Sequence, residues 1–447
     1  MSRFVGRLFG SLTVFALVLA PVPAMAAAQP IDTGDTTFVL MSAALVLLMT
    51  PGLAFFYGGM VRRKNVLSII MHCFVAMAVV SITWVLFGYS LAFGPDAGHV
   101  IGRLDWLGMN GVSLAPNPDY AATIPHQAFA MFQLMFAIIT PALIAGAFAE
   151  RIRFSAFVVF LVLWSTFIYA PLTHWVWGTG GWLKALGVLD FAGGNPVEIA
   201  SGFSSLAAAI VVGRRMGYGR EPMLPHNSPL TLLGAGLLWF GWFGFNAGSA
   251  LAANGVAVAA FVATNTAAAA AALAWMAAEW ILQGRPTTLG AVSGAVAGMV
   301  AITPACGYVT PLASILIGLM AGIACFYAVS RMKPRLGYDD SLDVFGIHGV
   351  GGIIGTLATG LFATTLVNPG AANGLLYGNP HQFVVQLIAV LASGAFCFIG
   401  TFGILKGIAL IVPLRATVDE EESGLDVSHH GEDAYRYDIP LTTTPMS

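Results

Sequence analysis

Apolar runs long enough to cross a bilayer as helices, about 20 residues each, recur eleven times along this chain. That repetition constrains the fold more than any other feature. The limits are 35–61, 66–93, 125–149, 154–171, 195–213, 227–248, 255–282, 286–303, 308–330, 342–366 and 381–411. A backbone in hydrocarbon has no water to bond, so runs of this kind must be helical. Only 9% of the residues are charged, against roughly 25% in a soluble domain. The chain therefore reads as an all-α integral membrane protein. Its net charge of −2 points to no class of partner. The cysteines Cys73, Cys306, Cys325 and Cys397 sit in or beside apolar runs, with neither metal spacing nor a disulfide framework. No HExxH, Cys/His cluster or Gly-rich phosphate loop occurs, so no cofactor, metal or nucleic-acid partner is expected.

The two ends are different in kind. Arg3 and Arg7, the apolar stretch Leu8 to Ala20 and the Ala24-Met25-Ala26 site make residues 1–26 a cleaved secretory signal peptide. The membrane domain then covers 27–411, and 412–447 is a polar, acidic tail. With the mature N-terminus outside, alternate loops carry Arg62, Arg63 and Lys64; Arg151 and Arg153; Arg214, Arg215 and Arg220; Arg285; and Arg331, Lys333 and Arg335. The opposite loops hold only Arg103 and Lys184, which satisfies the positive-inside rule and places the tail in the cytoplasm.

Two segments resemble each other. Asp190 and a Gly-Gly pair lead to Glu198 in the fifth run, and Asp343-Val344-Phe345-Gly346 leads to His348 in the tenth. These runs cross in opposite directions, as an inverted five-plus-five repeat with one added span requires, and such repeats place the substrate path at their interface. An ionisable residue inside a span marks a functional site. A second reading is open for Glu198: Asn195 as N-cap, Pro196 behind it and Glu198 at the third helical position form a capping-box pattern. Glu279, near the end of the seventh run, is expected to snorkel or to pair with Arg285, and His72, His174 and His226 are expected to be structural.

Several long motifs carry a family resemblance. They are Pro51 to Gly59 (PGLAFFYGG), Arg63 to Ser68 (RKNVLS), Gly146 to Arg151 (GAFAER), Asp190 to Gly194 (DFAGG) and Gly241 to Ser249 (GWFGFNAGS). Thr303 to Tyr308 (TPACGY), Asp343 to Gly349 (DVFGIHG) and Gly424 to Glu432 (GLDVSHHGE) complete the set. Through them the chain resembles the ammonium transporter family (Amt/Mep/Rh), most closely its bacterial Amt branch.

The resemblance implies a transporter, not an enzyme, in a bacterial inner membrane. It must admit NH4+ while rejecting Na+, K+ and water. The matching positions imply an outer cation site of Phe136, Trp177 and Ser249, where aromatic faces attract the cation and a hydroxyl accepts an N–H. They imply an apolar gate of Phe136 and Phe245, with Phe132 on the same helical face. Asp190 and Asp343 take structural or electrostatic roles. His348 matches the second of two pore histidines, and Glu198 stands where the first would be, a variant shared with some fungal relatives. The expected chemistry is proton relay by Glu198 and His348 as NH3 passes. The resemblance further implies a homotrimer and a regulatory tail around Gly424 and Asp426, with a PII-type signalling protein as its partner. An ammonium sensor acting through the tail and a Rh-like neutral gas channel are the alternatives.

Overall fold

The computed structural model describes residues 31–435, so the expected signal peptide and the last tail residues lie outside the described part. Among the described residues ten helices are long and apolar enough to cross a membrane: α1 (Thr33–Met60), α2 (Arg63–Phe93), α3 (His126–Phe148), α4 (Phe154–Val176), α5 (Gly194–Val212), α6 (Ser228–Gly248), α7 (Gly255–Gln283), α9 (Pro311–Leu336), α10 (Phe345–Phe362) and α11 (Pro380–Ala409). The eighth apolar run is a shorter helix, α8 (Thr288–Ile302), of 15 residues. Helix starts follow their capping residues. Asp32, Asn227, Asn254, Thr287 and Thr310 each accept a backbone N–H from the first turn that follows.

The fold is not purely helical. Between α2 and α3 the chain forms two short antiparallel hairpins. Strand β1 (Asp96–Ala97) pairs with β2 (Ile101–Gly102), and β3 (Pro116–Asn117) pairs with β4 (Ala121–Pro125). These hairpins mark one end of the bundle, here the hairpin end. The opposite end carries the tail.

Small residues set the helix spacing, as expected in lipid, where close backbone contact replaces the hydrophobic effect. The alanine-rich α7 lies against α8 and α9. A Cβ added at Gly298 or Gly318 would fall 2.4 Å from the carbonyl oxygen of Ala267. The contact that matters most for the site is between α5 and α10: a Cβ at Gly202 would meet Gly349 backbone atoms at 2.2 Å. Helix α3 is almost wholly buried and runs through the middle of the bundle.

Glu279 does not pair with Arg285. Its carboxylate accepts from Thr287 N at 2.8 Å and Trp275 Nε1 at 3.2 Å, which ties the end of α7 to the start of α8. At the tail end, Arg151 is fully buried and donates to the carbonyl of Ala147 at 2.8 Å. Glu150 is paired with Arg62 at 2.6 Å, and Asp339 with Arg215 at 2.9 Å. These ion pairs bind together loops that are far apart in sequence.

The described part of the tail is packed against the bundle. Thr417 and Glu420 form a capping box that starts the short helix Val418–Ser423, and Arg415 pairs with Glu421 at 2.9 Å. Asp426 then accepts from Leu67 N at 3.0 Å and Ser68 N at 2.7 Å, satisfying donors at the start of α2. Gly424 has φ +98°, and a Cβ there would stand 2.6 Å from Lys64. His226 contacts the Tyr435 hydroxyl at 3.0 Å.

Candidate functional site

At the hairpin end, a cleft of about 650 Å³ is lined by residues including Asp119, Tyr120, Gln133, Trp177, Lys184, Asp190, Ser249 and Tyr308. Below its floor, Phe136 stands edge-on to Trp177 at 5.9 Å between ring centroids and packs on Phe245 at 4.2 Å. Phe132 lies 5.0 Å from Phe136. Phe132 and Phe136 are fully buried and Phe245 is 1% exposed, so the three rings form a packed layer that meets the cleft only through Trp177.

Ser249 donates its hydroxyl hydrogen to the carbonyl of Phe245 at 2.8 Å. With its one hydrogen used, the oxygen is left as an acceptor for a donor in the cleft. Gln133, one helical turn before Phe136, was not among the residues expected at the site. Its Oε1 is buried without a protein partner, so it offers a second acceptor. A glutamine two turns inside α3, between Phe132 and Leu134, is the signal that marks it.

Asp190 organises the start of α5. One carboxylate oxygen accepts from Gly193 N at 2.8 Å and Gly194 N at 2.7 Å. The other accepts from Asn195 N at 2.7 Å and Asn195 Nδ2 at 2.9 Å. Burial raises the Asp190 carboxyl above the usual range, and these four donors oppose the rise. Asp190 thus does the capping that the sequence pattern offered to Asn195 and Glu198. Asn195 instead directs its side-chain oxygen to Ser393 Oγ at 3.2 Å.

Glu198 is left free to face the interior. Beneath the Phe136–Phe245 pair lies a narrow, largely apolar space, walled by Leu53, Phe56, Tyr57, Leu143, Val197, Leu238, Trp242 and Ile347 among others. Glu198 and His348 are its two ionisable carboxylate and imidazole groups, with Glu198 Oε2 2.7 Å from His348 Nδ1. The second oxygen, Oε1, is buried with no protein partner. Both residues sit on π-helical turns, Gly194–Ile199 and Phe345–Gly349. These wide turns are uncommon and often occur at functional sites. The Gly202–Gly349 contact and the close approach of Gly352 to the Glu198 Cβ, 2.9 Å from an added methyl, bring the pair together.

Asp343 does not line the space that holds His348. It has φ +62°, is 26% exposed at its side chain and pairs with Lys333. The residue that stands eight before His348, as Asp190 stands eight before Glu198, is Asp340. Asp340 is fully buried and accepts from Phe345 N at 2.7 Å. Its other oxygen has no protein partner, and burial pushes its carboxyl up to about 6. Among the described residues no group of three or more His, Cys, Asp or Glu is placed to hold a metal.

Comparison with known proteins gives a consistent set of matches. Residues 37–435 match the model of the Ammonium Transporter Family. An ammonium transporter of Bacillus subtilis is 57% identical over 403 residues, covering 90% of this chain and 98% of that protein. The crystal structure of Saccharomyces cerevisiae Mep2 superposes with a TM-score of 0.84 at 37% identity, covering 92% of this chain and 93% of the other. A structure described as a sensor Amt protein gives a TM-score of 0.82 at 32% identity, covering 89% and 98%.

Proposed function

Since this chain belongs to the ammonium transporter family, we propose that it recruits NH4+ in the cleft at the hairpin end and relays its proton through Glu198 and His348 while NH3 crosses the apolar space between. In this reading the hairpin end faces outward and the tail end the cytoplasm, in keeping with the basic loops at the tail end. The short α8 is the eighth of eleven spans. The paired Asp-to-ionisable segments at α5 and α10 are the junction points of an inverted repeat.

The cation is held by the faces of Phe136 and Trp177, worth roughly 0.5–2 kcal/mol, with Ser249 and Gln133 accepting N–H bonds. The Asp190 carboxylate adds its field. The Phe136–Phe245 pair then excludes hydrated ions, because a dry constriction offers nothing to replace a hydration shell.

The bond between Glu198 and His348, inside a narrow, largely apolar space, carries this proposal. Two imidazoles are neutral when empty and cationic with one extra proton. A carboxylate and an imidazole are anionic when empty and neutral with one extra proton. A low-dielectric cavity penalises net charge, so this pair holds a transferred proton in its less costly state. The two groups titrate as one unit.

Assembly as a homotrimer, and a regulatory contact of a PII-type protein with the tail near Gly424 and Asp426, belong to the same reading. The tail's hold on the start of α2 supports the regulatory part. A second reading, a sensor that signals through the tail, is favoured by the likeness to a sensor Amt protein.

Current and internal pH in proteoliposomes after an ammonium pulse, across external pH, test these readings. Wild type should give a current that Glu198→Gln abolishes. An unchanged current in the variant removes Glu198 from the proton path. A wild type with neither current nor internal pH change supports the sensor.

A further inference from the structure

The cleft at the hairpin end already contains a cation. Lys184, on the short helix Trp182–Leu186, extends its ammonium group to the carbonyl of Trp177 at 2.9 Å. The same group stands 5.7 Å from the centre of the Tyr120 ring. An aromatic face and an oxygen acceptor are the partners proposed above for the incoming ion, and the lysine head is itself an alkylated ammonium with three N–H donors. This contact is to the backbone carbonyl of Trp177 and does not use its ring, whose Nε1 donates to the carbonyl of Asp190 at 2.9 Å. The cleft therefore holds two cation positions side by side, one on Tyr120 filled by a tethered ammonium and one on Trp177 and Ser249 left for a mobile one.

The other charged groups lining the cleft are Asp119 and Asp190. Asp190 spends both oxygens on backbone and Asn195 donors. Asp119 is exposed at the rim. Neither holds Lys184 in an ion pair; Asp119 acts on its charge only from a distance, and the lysine remains a fixed positive charge in the cleft. A like charge lining the same cleft opposes loading of the second position by Coulomb repulsion.

We propose that Lys184 is an affinity-setting residue, a resident ammonium that weakens capture of substrate and limits the cleft to one mobile monovalent cation. This rests on the cleft being the recruitment site. Weak capture suits conduction, since an ion bound too tightly at the mouth leaves slowly.

The test is the half-saturating ammonium concentration of reconstituted protein for Lys184→Gln, Lys184→Arg and Trp177→Leu. Lys184→Gln should lower it by about threefold to tenfold with the maximal rate changed less than twofold. Lys184→Arg should stay near wild type. A lysine that only braces the Trp177 loop would give the opposite sign, a raised half-saturation for Gln. That result, no change for Gln, or an equal fall for Arg overturns the inference. Trp177→Leu separates the two levels: if it raises half-saturation, the recruitment site stands whatever Lys184 does. If neither Trp177→Leu nor Lys184→Gln changes it, both readings fail.

Discussion

At the start of α5, Asp190 gathers four N–H donors; at the start of α10, Asp340 gathers Phe345 N and has Lys333 close by. Both segments open on a π-helical turn and both deliver an ionisable side chain to the same narrow space. The α5 junction balances its carboxylate with fixed peptide dipoles. The α10 junction leaves one oxygen of Asp340 unpartnered, and Lys333 donates to the Asp340 carbonyl at 3.2 Å and also pairs with Asp343. Backbone donors cannot move without unfolding a turn, whereas a lysine can. The comparison teaches that the two halves share a device but not its rigidity: the Glu198 side is locked, and the His348 side has slack.

The comparison breaks most visibly if Asp190→Ala and Asp340→Ala behave alike. Each stranded buried donor costs about 1–3 kcal/mol, so Asp190→Ala should cost several kcal/mol and remove most folded protein. Asp340→Ala should cost about 1–3 kcal/mol and leave folded protein. Yield and thermal midpoint in detergent read both. Next in size, Gly202→Ala forces α5 from α10 at their tightest contact. Ammonium flux should fall more than about tenfold, as expected when reacting groups are misplaced by about 1 Å, while purified protein remains monodisperse. Glu198→His exchanges the carboxylate on the locked side. It should still transport, with a shifted pH profile, and a profile identical to wild type at every pH would end the proton-pair argument.

The smallest effect concerns pH and the slack side. The Asp340 carboxyl is raised to about 6 by burial, from 3.8 in the unfolded chain. A raised folded value means stability present at low pH and lost as pH rises through about 6. At 1.36 kcal/mol per unit, the contribution is about 2–3 kcal/mol between pH 4 and 7. Wild type should melt higher at pH 5 than at pH 7.5, and Asp340→Asn should flatten that difference.

Much of the fold was legible because a bilayer leaves so few options. Apolar runs of fixed length must be helices, and ten proved long enough to span. The eighth run, expected over 286–303, is shorter because Thr287 caps its start and the chain turns at Thr303. The hairpins were not legible, since three of the four strands have two residues, too few to show an alternation. Glu198 stood out as a carboxylate in an apolar run, and the structure places it against His348. The competing cap reading was also open in sequence, and only the fold shows Asp190 taking those donors. Asp339, Asp340 and Asp343 are crowded into one short stretch, and residue type alone does not say which of them meets the start of α10. Which one caps α10 depends on the left-handed backbone at Asp343, a property that side-chain type does not announce for aspartate. Gln133 and Lys184 were passed over for a related reason: their roles depend on which atoms lack partners or which carbonyl lies within reach.

The two π-helical turns have a consequence for how this chain can change over time. A π turn carries one residue more than an α turn needs, and losing it restores the regular winding. Each residue of an α-helix accounts for about 100° of rotation. One deletion within Gly194–Ile199 would therefore swing either the Asp190-anchored end or Glu198 by that angle, and both cannot keep their partners. The position of Glu198 can accept another side chain more readily than the segment can accept another length. A reading-frame-preserving loss of three nucleotides here would do more harm than any single exchange of residue.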